Sequence, residues 1–206
     1  MATYGEMRDR LKEYSQRRNI PDTTFNLFMD TAQSRANRSL RIPSLEQIST
    51  QAVSTTGYFD VPADYLEMRS VMAINNDNLY PLERKSYDEI NQRLVYTKEG
   101  APCYFGRWGD ATFRVAPYRA EGDQVYLTYY KILPDLVADS ETNWFFTYSP
   151  ELILYGGMEE LSKYARDQEG TQRWGEQFQR ETLIVQAMED RSAWSGSTLA
   201  VSVGGR

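Results

Sequence analysis

The sequence predicts an α+β protein: a four-helix bundle with an inserted small antiparallel β-sheet domain and an extended C-terminal tail. Three observations predict it. Apolar residues recur at three- and four-residue spacing near both ends of the chain, alternate at period two in the middle, and become sparse with the long charged side chains after Arg191. The corresponding regions are 1–52 for the N-terminal helices of the bundle, 53–148 for the inserted β-rich region, 149–191 for the C-terminal helices and 192–206 for an extended arm. A chain of 206 residues suits one folding unit with an extension.

The first helix is expected from about Tyr4 to Arg18, with Tyr4, Met7, Leu11 and Tyr14 on one stripe and Arg, Lys and Glu between them. Asn19 ends it, and "IPDTTF" restarts the chain with Asp22 and Thr23 as candidate caps. A second helix to about Leu40 buries Phe25, Phe28, Met29, Ala32 and Ala36, and so short a connection predicts an antiparallel hairpin. After "RIPSLEQISTQAVSTTG" the period changes. Leu66, Met68, Met72 and Ile74 alternate with Glu67 and Arg69 as in a half-exposed strand. Ser86 and Glu89 stand in capping-box spacing and open a short helix to about Arg93. "PCYFGRWGDATFRVAP" reads as a hairpin around Trp108, Gly109 and Asp110, and the strand after Gly122 sets Val125, Leu127 and Tyr129 against Tyr126, Thr128 and Tyr130.

Ser149 and Pro150 open the third long helix as N-cap and first helical residue, with Glu151 favoured by the helix dipole and Leu154, Met158 and Leu161 as its stripe. Gly170 and Thr171 break the chain, and a fourth helix to about Arg191 carries Trp174, Phe178, Val185 and Met188 on one side. Leu11, Phe28, Leu154, Met158 and Phe178 are the expected core of the bundle. Within the third helix Gly156 and Gly157 each cost about 1 kcal/mol against alanine, so close approach of another helix is expected there; core of one chain and contact between chains both remain open. Trp144, Phe145 and Phe146 read as a hydrophobic staple over the start of that helix. "SAWSGSTLAVSVGGR" has too little apolar mass to fold alone, but "TLAVSV" alternates Leu199, Val201 and Val203 with Ala200 and Ser202, as a strand laid on an open sheet edge does.

Chemistry is thinly supported. The chain has no histidine, which removes Ser-His-Asp and Cys-His nucleophile systems and most zinc sites. Cys103, the single cysteine, forbids an intrachain disulfide, fits a reducing compartment and is expected as buried packing in a strand. Glu159 with Glu160, and Asp139 with Glu141, read as solvated neighbours rather than an acid–base pair. No glycine pattern forms a phosphate cradle or a dinucleotide turn, so no catalytic, cofactor-binding or metal residue is assigned and no cofactor is expected. A formal charge of −6 opposes a protein that grips nucleic acid through phosphates, and Arg35, Arg38 and Arg41 read as cations favoured at a helix C-terminus. No apolar run approaches the roughly 20 residues of a membrane span and "MATYGEMRDRLKEY" is charged rather than signal-like, so no membrane partner is expected. The 15 tyrosines suit surfaces buried on one side and wet on the other, as interfaces often are.

Several strings, taken in order, resemble a known family: "VPADYLEMRSV", "YPLE", "GAPCYFGRWGDATFRVAP", "LTYYKILPDL", "TNWFFTYSPELILYG" and "DRSAWSGSTL". They are similar to those of head-to-tail adaptor proteins of tailed bacteriophages, also called connector or head-completion proteins, from about Phe59 to Leu199. The resemblance implies a structural virion protein without catalysis. It implies a homo-oligomeric ring, usually a dodecamer, beneath the portal protein, contacting neighbouring adaptor subunits and tail or nozzle proteins, with genomic DNA passing through the channel without sequence-specific binding. It further implies that the segment from Ser192 to Arg206 reaches along the portal, with Trp194, Leu199, Val201 and Val203 as contacts to portal or neighbour. Gly157 departs from the family pattern, which favours alanine after "LYG". An acidic wall suits a channel along which DNA slides. Two other readings stay open: a free-standing cytosolic small-ligand-binding or scaffold protein, and a histidine-free enzyme using lysine or tyrosine as base.

Overall fold

The computed structural model describes residues 2–17, 19–75, 78–119 and 123–194, and the chain divides into two compact units. Unit 1 is Met1–Ser44 with Leu133–Arg206; unit 2 is Leu45–Ile132, inserted between those two pieces. In chain order the elements are α1 (Tyr4–Ser15), α2 (Asp22–Ser39), a 3-10 turn (Pro43–Leu45), β1 (Glu46–Val53), β2 (Tyr58–Asp60), β3 (Tyr65–Asn75), β4 (Asn78–Pro81), β5 (Glu83–Arg84), α3 (Tyr87–Tyr96), β6 (Tyr104–Arg107), β7 (Thr112–Ala116), β8 (Asp123–Lys131), α4 (Trp144–Tyr148), α5 (Pro150–Tyr164) and α6 (Gln168–Trp194).

This is a mixed α and β protein, but the expected four-helix bundle with one small antiparallel sheet is wrong. Among the described residues there are six helices and two sheets of four strands each. Two causes, one local and one long-range, explain part of the difference. Asn143 accepts hydrogen bonds at its side-chain oxygen from the N–H groups of Phe145 (3.0 Å) and Phe146 (3.4 Å), so Trp144–Tyr148 becomes the separate helix α4 instead of a staple on the next one. The polar run Glu46–Val53, which has little apolar alternation, is nevertheless a strand because β8 supplies eight paired positions for it. The units join at 44/45 and 132/133, where the sequence reading drew 52/53 and 148/149.

In unit 1, α5 is the central helix, packed against α1, α2, α4 and α6. Its sequence explains the position: Leu152, Ile153, Leu154, Gly156, Gly157, Met158 and Leu161 are buried and surround the helix axis, the pattern of an enclosed helix rather than a surface one. From α1 come buried Tyr4, Met7 and Leu11, from α2 Phe25, Phe28, Met29, Ala32 and Ala36, and from α6 Phe178 and Val185. Two stripe assignments fail. Tyr14 is exposed on α1, and Met188 is exposed on α6 while Val185 turns inward.

Caps also correct the sequence reading. The α2 N-cap is Pro21, which offers no side-chain bond, rather than Asp22 or Thr23. Ser149 sits at the α5 N-cap but makes no capping bond. The break before α6 lies at Arg166, with φ of 57°, and Asp167 caps the helix by accepting from the Gly170 N–H at 3.0 Å, so Gly170 is inside the first turn.

In unit 2 the sheets run β1-β8-β3-β4 and β2-β7-β6-β5. The β5–β6 pair is parallel and the other pairs are antiparallel. Their shared core holds Val53, Phe59, Val71, Ala73, Phe105, Phe113, Val115, Val125, Leu127 and Tyr129. Tyr65 of β3 meets Phe113 of β7 edge-on at 6.2 Å, which ties one sheet to the other. Register shifts between Tyr65 and Glu67 and between Met68 and Ser70 move the inward face of β3, so Val71 and Ala73 are buried and Met72 and Ile74 lie on the other face. Strict alternation could not reveal those two inserted residues. The Ser86–Glu89 capping box is present at the start of α3.

Candidate functional site

Gly156 and Gly157 look in different directions from one turn of α5. A β-carbon on Gly156 would meet the Ala32 β-carbon of α2 and the Phe178 ring of α6; one on Gly157 would meet the Leu11 side chain of α1. Both glycines therefore pack inside unit 1. Leu11, Phe28, Leu154, Met158 and Phe178 are buried around them.

One turn further along α5 is a charged network. The Arg35 guanidinium donates to Glu159 at 2.8 Å and Glu160 at 3.2 Å, and lies 4.4 Å from the centre of the Phe178 ring. Lys163 reaches both carboxylates at 2.8 Å. Burial pushes Glu159 up, but hydrogen bonds from Lys163 and Arg35 more than reverse this and hold it below the ordinary glutamate range. Paired acids matched by two cations on one side are a packing device, with no free carboxylate poised to move a proton. Arg38 and Arg41 bond carbonyls at the end of α2: Arg38 to Ser34 at 3.2 Å, Arg41 to Leu40 at 2.8 Å. Asp139 is engaged by Arg8 through two bonds of 2.8 and 2.7 Å, and Glu141 accepts from the N–H groups of Val137 and Ala138.

Cys103 is exposed, contrary to its expected burial; β6 begins one residue later, and the thiol lies 3.4 Å from the Ala101 carbonyl oxygen. No group of three or more cysteine, aspartate or glutamate side chains suited to a metal occurs among the described residues. Two surface depressions, one at the α5–α6 turn lined by Lys163, Arg166 and Asp167 and one on α1 lined by Asp9, Lys12 and Glu13, are open and charged, unlike the enclosed apolar pockets that small ligands usually fill. No helix described is long and apolar enough to cross a membrane.

The surface instead offers contact area. Leu183, Ile184 and Met188 are exposed on the second half of α6, and Val95 and Tyr96 at the end of α3. At the tip of the β6–β7 hairpin Trp108 meets Tyr87 at a tilt (4.3 Å between ring centres) and Tyr58 edge-on (5.7 Å), while the Arg114 guanidinium lies 4.7 Å from the Tyr58 ring. Among the described residues no strand pairs with the outer side of β1, a sheet edge. The sequence reading missed that edge and the aromatic cluster, whose members are scattered along the chain from 58 to 114. Trp194 is the last described residue, in the backbone of α6, and Leu199, Val201 and Val203 lie outside the described residues.

The family described as SU10 adaptor protein matches residues 2–202. The chain belongs to the SU10 adaptor family. This is a family of phage head-to-tail adaptors, so the protein is a structural component of a virion and works through contacts with portal and tail proteins. Such adaptor families are typically not enzymatic. The match includes α1 and α2, which the resemblance read from about Phe59 onward did not reach. A comparison with curated proteins finds no match.

Proposed function

We propose that this SU10 adaptor assembles as a ring, with twelve copies as the expected number, beneath the portal, joins the capsid vertex to tail components around the DNA channel, and has no catalytic activity. The observation that carries the reading is family membership over nearly the whole chain. Surface chemistry is consistent with it. The net charge of −6 keeps phosphates from being neutralised by a channel wall, and exposed Leu183, Ile184, Met188, Val95 and Tyr96 provide area that a partner would cover. In this reading residues 192–206 contact the portal or a neighbouring subunit, with Trp194 as the large anchoring side chain.

The test is addition of purified protein to DNA-filled heads that carry a portal but no tail. Rings on the vertex by cryo-electron microscopy, and retention of the genome, are the expected outcome. Deleting Ser197–Arg206 is expected to leave the thermal midpoint nearly unchanged and to abolish attachment. Protein that stays monomeric and ignores the heads would overturn the reading. Truncated protein that still docks would remove the tail from it.

A further inference from the structure

The two sheets of unit 2 have four edges, and three of them are short: β2 spans three residues, β4 four with Pro81 at its end, and β5 two. The fourth is β1, eight residues paired to β8 in unbroken register from Glu46↔Tyr130 to Val53↔Asp123. Proteins usually blunt a long edge with lysine, proline or a bulge. β1 has none of these: Gln47–Val53 carries no charge and no proline, and its register does not shift. Among the described residues no strand pairs with its outer side. The strand is also apolar where it need not be. Ile48 is 61% exposed, and the face it shares continues through Thr50 to Tyr126 and from there to Met72, with partners set by the register.

We propose that β1 is the acceptor for a strand, and that its occupant is Thr198–Val203 of a neighbouring copy, which extends the sheet to five strands. The occupant follows from the sequence. Residues 195–206 follow α6, carry no charged side chain before Arg206, and contain "TLAVSV", whose Leu199, Val201 and Val203 alternate with small residues. Six residues of strand span about 20 Å and β1 about 26 Å, so the acceptor is long enough. In the register that sets Leu199, Val201 and Val203 on the face of Ile48, the added strand packs against that exposed side chain while its backbone bonds the open N–H and C=O groups of β1. That the donor is a neighbouring copy rests on the ring proposed above. A contact between two different surfaces propagates around a closed ring, whereas pairing β1 to β1 would be two-fold and stop at a dimer.

The experiment uses the full chain with Cys103→Ser, in which Ile48→Cys and Val201→Cys are introduced into separate proteins that are then mixed under mild oxidation. A disulfide joining the two proteins is the expected result. In parallel, a fluorescent peptide of sequence SGSTLAVSVGGR is titrated onto protein lacking Ser197–Arg206, and Ile48→Lys, which adds a charge at an exposed position, is expected to weaken its binding at least tenfold. Ile48→Cys protein that cross-links to itself and ignores Val201→Cys would overturn the proposal in favour of paired β1 edges. A disulfide formed only within single chains of a doubly substituted protein would overturn the assignment to a neighbour. Rings on portal-bearing heads with neither cross-link nor peptide binding would overturn the strand and leave the ring; cross-link and peptide binding without rings would support the strand and remove the ring.

Discussion

A β-carbon added to Gly156 would lie 2.6 Å from the β-carbon of Ala32, closer than two such atoms approach in real proteins. The same atom added to the adjacent Gly157 would meet only the ends of the Leu11 side chain, at 3.1 and 3.2 Å. These neighbours in sequence therefore answer differently to one methyl group. Gly156→Ala forces α2 and α5 apart, an overpacking cost of about 1–3 kcal/mol. Against it stands about 1 kcal/mol of helix propensity. A net loss of up to about 2 kcal/mol is expected. In Gly157→Ala the Leu11 side chain can give way, and stability within about 1 kcal/mol of the parent, on the stabilising side, is expected. Urea midpoints of the two variants decide it, and the reverse order would mean that the α2–α5 contact is wrongly drawn.

Asn37 clamps the point at which the chain re-enters unit 1. Its side-chain oxygen accepts from the Leu133 N–H and its amide donates to the Leu133 carbonyl, both at 3.1 Å in a buried setting. Gln33 beside it donates to the Pro134 carbonyl at 2.9 Å and accepts from Asn143 at 2.8 Å, the same Asn143 that caps α4. Asn37→Ala removes a donor and an acceptor at once: the buried Leu133 N–H loses its partner, and the Leu133 carbonyl keeps only the longer bond from Gln33 at 3.4 Å. A loss of about 2–4 kcal/mol is expected in chemical denaturation. A loss below about 0.5 kcal/mol would mean that water replaces the side chain there.

Glu159 gives unit 1 a pH dependence of definite sign. Its folded-state value lies below the ordinary glutamate range, so its contribution is fully present above about pH 4.3 and disappears as the pH falls through the folded value. Glu159→Gln is expected to lower stability by about 1–2 kcal/mol at pH 7 and by progressively less below pH 4. Denaturation midpoints at pH 7, 4 and 3 measure the gap between parent and variant. A gap that does not narrow with acid would show that the charge on Glu159 is not what stabilises.

Because Cys103 is exposed, a maleimide should modify the native protein to one equivalent at the rate of an open thiol. Mass spectrometry with and without denaturant checks this, and labelling that waits for unfolding would mean that the residue is covered.

Local chemistry was the legible part of the sequence. The Ser86–Glu89 box, Pro150 at the start of α5 and the inward trio Val125, Leu127 and Tyr129 are each set by residues within a turn or a strand of one another. What escaped depends on partners far along the chain. β1 is a strand because β8 lies beside it, and the inward face of β3 depends on extra residues that no pattern marks. The two-sheet count was hidden for the same reason, whereas α4 was a local miss, since its cap, Asn143, directly precedes it. Glu159 and Glu160 were expected as solvated neighbours, and that is wrong for Glu159, which is buried: Arg35, which closes on both carboxylates with Lys163, comes from α2 and no local pattern marks it.

Unit 2 is one continuous stretch, Leu45–Ile132, while unit 1 is made of two pieces on either side of it. During synthesis α1 and α2 therefore leave the ribosome without α5, the helix they pack around, and at bacterial rates the insert alone takes on the order of ten seconds to translate. Phe25, Phe28, Met29 and Leu11 lack the helix that buries them through that interval, whereas unit 2 can close its core as soon as β8 emerges. The inserted unit is thus the part positioned to fold first, and the N-terminal helix pair is the natural client for a chaperone until Pro150–Tyr164 arrives to complete it.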